Sequence, residues 1–153
     1  MCLGSFNRIQ TFTSENIELL QKAFDIRTTV FVDEQQVPEE EEIDDDDYSP
    51  STYHYLLNHN DVPIGTARSL HSLDNCSAKI GRVAILKSHR NKGYGKYLIE
   101  SILTNLKSMG IAMVSLAGQL QSLGFYHSVG FKEEGPVFLD AGIEHKMMFK
   151  ALS

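Results

Sequence analysis

The chain reads as a mixed α/β domain, and three observations predict it. Strand-like segments crowd the first half, strands and helices alternate in the second, and one strand runs through a glycine turn directly into a long amphipathic helix. A length of 153 residues suits one domain with a single core, and residues 1–153 are taken as that domain.

The elements follow in order. Ser5 to Phe12 alternates loosely as a first strand. Thr13-Ser14-Glu15-Asn16 offers a helix cap, after which Ile17, Leu20, Phe24 and then Val30-Phe31 continue an apolar face. Pro38 ends that region before an acidic run. Tyr53 to Asn58 and Ile64 to His71 are strands joined by the turn signal Asn60-Asp61-Val62-Pro63. Ser77 to Lys87 is a further strand. The long helix spans Gly93 to Met109, with Tyr94, Tyr97, Leu98, Ile102 and Leu106 on one face and Gly110 closing it. Met113 to Ala117 is a short buried strand, Leu120 to Ser128 a helix and Ile143 to Lys150 the final strand.

Composition excludes several function classes. No run approaches the roughly 20 apolar residues of a membrane span. The start, MCLGSFNRIQ, lacks the apolar core of a signal peptide, so a cytoplasmic location is expected. Cys2 and Cys76 form neither a disulfide framework nor a metal-ligand spacing; they are read as ordinary thiols, with no metal site. The net charge of −6 is unevenly spread, because Glu39–Glu42 and Asp44–Asp47 supply eight of the 20 carboxylates. Without them 14 basic residues face 12 acidic ones, a body suited to an anionic ligand. The acidic run itself reads as a short helix end or solvated loop, or more sharply as a clamp for a cationic substrate. No glycine stands where an EF-hand needs its sharp turn, and nothing favours nucleic acid.

The chemistry centres on Arg82 to Gly95, RVAILKSHRNKGYG. A strand entering a glycine turn and a helix start brings several free backbone N–H groups to one point. With Arg90, Lys92 and Lys96 nearby, that point suits a diphosphate. It is not a P-loop, since Tyr97 follows Lys96 and no glycine stands five before Gly95; nor is it a dinucleotide fingerprint, since Leu98 occupies the third glycine position.

The string resembles the R/Q-x-x-G-x-G/A turn of the GNAT superfamily of N-acetyltransferases, with Arg90, Gly93 and Gly95 at its fixed positions. Phe125, Tyr126, Gly130 and Phe131 match the A-x-x-F-Y-x-x-x-G-F segment of that superfamily, with Ser122 at its usual small position. Ile26 to Asp44, IRTTVFVDEQQVPEEEEID, resembles a subgroup of small members carrying R-x-x-V-F-V-x-E-Q-x-V-P-x-x-x-E-x-D, and Phe138 to Met148 resembles that subgroup's ending. The resemblance implies a mixed, mostly antiparallel central sheet flanked by helices, with acetyl-CoA as cosubstrate. It places the pyrophosphate on Arg90, Asn91, Lys92, Gly93, Tyr94, Gly95 and Lys96, and the pantetheine on the preceding strand. Within that strand a backbone N–H around Val83, Ala84 and Ile85 would stabilise the oxyanion.

The same resemblance assigns Tyr126 as the acid that protonates the departing thiolate. Glu34 and His145, in two of the matched segments, are the candidates for the base. Arg27, Arg68 and Arg82 are read as a cationic cradle for an anionic acceptor, or alternatively as salt-bridge partners of the acidic run. No Cys lies in the matched segments, so transfer is direct within a ternary complex. A small-molecule amine is the expected partner, glucosamine 6-phosphate the leading candidate. Polyamines, peptide N-termini or lysines, a non-catalytic acyl-CoA-binding module and an acidic docking protein are the alternatives. No membrane is expected, and a homodimer is left open.

Overall fold

The computed structural model describes residues 6–72 and 74–152. Seven strands form one sheet: β1 (Asn7–Phe12), β2 (Thr52–His59), β3 (Val62–Ser72), β4 (Ser77–Ile85), β5 (Met113–Gln119), β6 (Lys132–Asp140) and β7 (Ile143–Ala151). Their spatial order is β1-β2-β3-β4-β5-β7-β6, and among these pairs β4 and β5 alone run parallel. The expected mixed, mostly antiparallel sheet flanked by helices is therefore present. The parts of the sequence reading that fall on Cys2 and Ser5 lie outside the described residues; Cys76 is an exposed free thiol.

Local chemistry sets most elements. Asn16 caps α1 (Ile17–Arg27), its Oδ1 accepting from the Leu19 N–H at 3.1 Å. The helix then widens into a π-helical segment, Thr28–Glu34, which keeps Val30 and Phe31 buried. Ile17, expected on the apolar face, is 78% exposed because it starts the helix beyond the sheet's cover. Asn60 and Asp61 both hold positive φ, 50° and 65°, the twist a tight hairpin requires between β2 and β3.

The long helix α3 (Tyr94–Ser108) packs Leu98, Ile99, Ile102 and Leu106 onto one face of the sheet. The other face is covered by α1, through Ala23 and Phe24, and by the π-helical segment, through Val30, against Leu56 and Ala84. The acidic run is a helical turn α2 (Glu39–Glu42) followed by a 3₁₀ turn, Asp45–Tyr48. The expected helix at 120–128 divides into a 3₁₀ turn and α4 (Leu123–Ser128). β6 was not expected from the sequence: it is an edge strand, exposed almost throughout and interrupted by Gly135-Pro136.

The sheet opens between β4 and β5. Parallel pairing of β4 with β5 ends at Ile80↔Leu116. Beyond that point β4 stays with β3, while β5 stays with β7 as far as Gln119↔His145. A β-bulge in β4 sets Arg82 and Val83 against Ala67 alone, with Arg82 at φ 52°. Such a bulge bends its strand, and here it accompanies a wedge-shaped gap in the middle of the sheet.

Candidate active site

The gap leads into a cleft of about 380 Å³. Its walls include Val83 from β4, Ala117 from β5, Tyr126 from α4, His145 from β7 and Gln35 from the loop after the π-helical segment. In a strand, successive backbone groups point to opposite sides. Leu86 N–H bonds Ile64 O across to β3, so Ala84 also faces β3, and Val83 and Ile85 face the gap. Ile85 O is taken by Arg90 Nε at 2.8 Å. Val83 is left as the strand residue whose N–H and C=O line the gap. Of the three strand residues expected at the cofactor, Ala84 is turned the other way, its side chain buried beneath α1.

At the mouth of the gap stands the turn Arg90–Gly93 and the first residues of α3. Gly93 caps the helix at φ 86°, a left-handed conformation that a side chain would strain. Among the described residues, the N–H groups of Asn91, Lys92, Gly93, Tyr94, Gly95 and Lys96 have no backbone or side-chain acceptor. These N–H groups and the positive end of the helix dipole form an anion seat. A Cβ on Gly95 would lie 3.4 Å from the Phe125 ring, so the two motif segments meet here. The seat therefore fits the diphosphate of a coenzyme A ester.

Its side chains are arranged differently from expectation. Arg90 does not reach toward the seat; besides Ile85 O, it grips Glu34 through two contacts, Nη1 to Oε2 at 2.9 Å and Nη2 to Oε1 at 3.1 Å. Lys92 Nζ donates to Ser88 O at 3.2 Å, and Tyr94 directs its hydroxyl to His59. Arg90 is thus a brace between the turn and the end of the π-helical segment, and the backbone carries the anion seat.

Two of the three catalytic candidates share the cleft. Tyr126 is 8% exposed, packed against Phe125 and Phe131, and burial pushes its hydroxyl up to about 12. It holds its proton at neutral pH. His145 lies 2.7 Å from Ile143 O through Nδ1. A carbonyl only accepts, so Nδ1 carries the hydrogen and the neutral ring keeps its lone pair on Nε2. Phe138 stacks on the imidazole at 5.9 Å and fixes its plane. Glu34 is outside the cleft lining, held by Arg90. Gln35, which the sequence reading passed over although it adjoins Glu34, lines the cleft; its Oε1 accepts from Gln119 Nε2 at 2.9 Å and ties the loop to β5.

The arginine cradle needs correction. Arg27 is 1% exposed, its Nε on Glu42 at 2.7 Å and its Nη1 and Nη2 on Asp47 at 2.7 and 3.0 Å. Arg68 binds Asp44 through two bonds, 2.7 and 3.0 Å, and Asp47 at 2.8 Å. Arg82 reaches Glu42 and Asp44, each at 3.2 Å. Three guanidinium groups that were candidates for a substrate phosphate are occupied by carboxylates of the acidic run, the alternative the sequence left open. The run is correspondingly not a simple solvated loop: Glu42 and Asp47 are 3% and 0% exposed. For Asp47, burial opposes the charge, but hydrogen bonds from Arg27 and the charges of Arg27 and Arg68 prevail and hold it at about 2. For Glu42, burial prevails over Arg27 and Arg82 and raises the carboxyl.

The comparisons with known proteins bear on the family and the fold. The family model for the acetyltransferase (GNAT) domain matches residues 9–152. A Bacillus subtilis protein that bears the name "Putative acetyltransferase" is 37% identical, the match covering 93% of this chain and 95% of that one. Escherichia coli ElaA superposes with a TM-score of 0.84 at 28% identity, covering 95% of this chain and 99% of that one. An acyl-CoA N-acyltransferase from Pseudomonas aeruginosa gives 0.86 at 25% identity, with coverage of 95% and 100%. The sheet gap with its backbone anion seat and this full-length match lead to one assignment: the chain belongs to the acetyltransferase (GNAT) domain family and is an acyltransferase.

Proposed function

We propose that the protein transfers acetyl from acetyl-CoA to the primary amine of a small molecule by direct attack in a ternary complex. The observation that carries this reading is the juxtaposition of unpaired N–H groups at residues 91–96 with a sheet gap holding Tyr126 and His145. Acetyl-CoA supplies an activated thioester when bound. The turn and α3 start hold its diphosphate, and the Val83 N–H is placed to donate to the oxygen that becomes negative. Tyr126 gives its proton to the sulfur as the carbon–sulfur bond breaks. His145 Nε2 accepts the proton lost by the amine, directly or through one water. Glu34 keeps the Arg90 brace rather than acting as base.

Gly95→Val tests the anion seat. The added methyl groups press on Phe125 and occupy the approach to the free N–H groups, so acetyl-CoA should bind at least tenfold more weakly by calorimetry. Unchanged affinity in a folded Gly95→Val protein removes the basis of the reading. His145→Gln tests the base: kcat/KM should fall roughly 10²-fold with acetyl-CoA affinity unchanged. A kcat/KM equal to that of the parent would move the role to another group.

No helix among the described residues is long and apolar enough to cross a membrane. The reading as an acidic docking protein weakens because Glu42 and Asp47, the buried carboxylates of the acidic run, serve the fold.

A further inference from the structure

One row of side chains defines the acceptor side of the cleft. Gly118 of β5 faces α4, since a Cβ placed on it would lie 3.3 Å from Tyr126 Cδ2. Gln119, the next residue, therefore faces the opposite side of the sheet, where its Nε2 reaches Gln35 Oε1 at 2.9 Å. His145 of β7 stands directly opposite Gln119. Directly opposed residues of an antiparallel pair share a face, with Cβ atoms roughly 4.5–5.5 Å apart. Gln35, Gln119 and His145 thus meet on the face that carries the π-helical segment, and Tyr126 reaches the cleft from the other face.

Gln35 is held in place and keeps one group free. Its backbone N–H donates to Val30 O at 3.2 Å, and those of Gln36 and Val37 go to Val32 O and Phe31 O. Its neighbour Glu34 is gripped by Arg90. The side-chain amides run in one direction: Gln121 Nε2 donates to Gln119 Oε1 and Gln119 Nε2 to Gln35 Oε1, so Gln35 Nε2 ends the chain as a donor. Among the described residues neither Gln35 Nε2 nor His145 Nε2 has a partner, and the one buried side-chain nitrogen or oxygen in that condition is Arg68 Nε. Gln35 Nε2 and His145 Nε2 are therefore both open in the cleft that their residues line. A ligand oxygen can meet the first while a ligand amine meets the second.

We propose that Gln35 is a specificity-determining residue for the acceptor, and that the acceptor is an α-amino carbonyl compound, as in an amino acid amide. This rests on the acetyl-transfer reading above. The reacting amine gives its proton to His145 Nε2, and the carbonyl oxygen takes the Gln35 Nε2–H. Because Gln119, which Gln35 touches, is the direct neighbour of His145, that oxygen belongs within a few bonds of the nitrogen. A carbonyl suits the donor because it accepts without bringing a proton of its own, and the nearby Gln35 Oε1 and Gln119 Oε1 are already engaged. The cleft, about 380 Å³, is of small-ligand size.

Gln35→Glu tests this, since it keeps an oxygen for Gln119 Nε2 and replaces the free donor by an acceptor. Steady-state acetylation by the full chain compares leucinamide with 1,3-dimethylbutylamine, which has a methyl group in place of the carboxamide. Taking each amine as a variant-to-parent ratio cancels its own basicity. The fall in kcat/KM for leucinamide should exceed that for the control amine at least tenfold, chiefly through KM, with acetyl-CoA affinity preserved by calorimetry. Gln35→Met, which removes the donor without adding charge, should give the same ordering at several-fold. A parent protein that acetylates leucinamide alone meets the expectation in stronger form, and one that acetylates only the control amine contradicts it. If both amines fall by the same factor in both variants, or leucinamide is the less affected, Gln35 touches no substrate oxygen and the proposal is wrong while acetyl transfer stands. If the parent acetylates neither amine although acetyl-CoA binds, the acceptor class is wrong and the anion seat survives. Failure of the parent to bind acetyl-CoA overturns both.

Discussion

Tyr126→Phe is expected to lower kcat roughly 10²-fold, the low end of what a positioned general acid contributes. The change deletes one hydroxyl and keeps the ring that packs between Phe125 and Phe131, so acetyl-CoA affinity should be nearly unaltered. The chemistry is demanding. A phenol pushed up to about 12 is a weaker acid than an ordinary thiol, whose reference pKa is about 8.5. The same buried surroundings, however, destabilise a thiolate formed beside it, because desolvation penalises whichever group is charged. Proton transfer concerted with cleavage of the carbon–sulfur bond avoids either free anion. A Tyr126→Phe enzyme at full speed would mean that the sulfur leaves unassisted or takes its proton from water. A fall in kcat accompanied by an equal loss of acetyl-CoA affinity would instead mark Tyr126 as a packing residue.

How much of this was legible in the sequence depends on how local each cause is. The α3 start could be read because a strand, a glycine turn and a helix are contiguous, and Gly93 shows the left-handed φ such a turn demands. The cap at Asn16 and the hairpin at Asn60-Asp61 were legible for the same reason. β6 was not: an edge strand with both faces in solvent has no apolar alternation to display, and Gly135-Pro136 reads as loop. The bulge at Arg82 also escaped, since its cause is the register against β3 and not its own residue type.

The site shows the same division. Tyr126 and His145 were found by motif and do share the cleft, whereas Glu34, found in the same way, is spent on Arg90 across 56 residues. The partners of Arg27, Arg68 and Arg82 lie 15 to 41 residues away in sequence. Charge spacing along the chain could offer both pairing and ligand binding, and only the fold chose between them. Gln35 and Gln119 meet across 84 residues with no sequence pattern to announce it.

Asp47→Ala is expected to cost about 3–5 kcal/mol of stability, the range for removing one partner of a buried ion pair. Asp47 is fully buried and joins the two halves of the cluster, taking two bonds from Arg27 and one from Arg68. Its Oδ2 also accepts the Asp44 N–H at 3.0 Å, which starts the 3₁₀ turn. Without it two buried guanidinium groups lose compensation together. Asp45→Ala, in the same turn but exposed and unpaired, should stay within about 0.5 kcal/mol of the parent in urea denaturation. Acid offers a separate check of the same residue. A carboxyl held at about 2 in the fold, against about 3.9 when unfolded, contributes stability present above pH 4 and lost as the pH falls toward 2. That contribution is on the order of 2.5 kcal/mol by the same linkage, and Glu42, whose carboxyl is raised, works in the opposite direction. The Asp47→Ala protein should therefore lose the part of its acid sensitivity that lies between pH 4 and 2. Because Arg68 and Arg82 form both the cluster and the cleft wall, the surviving folded fraction should also show a raised acceptor KM with acetyl-CoA binding preserved. An Asp47→Ala protein as stable as Asp45→Ala, with an unchanged acid transition, would show that the cluster does not hold the wall in place.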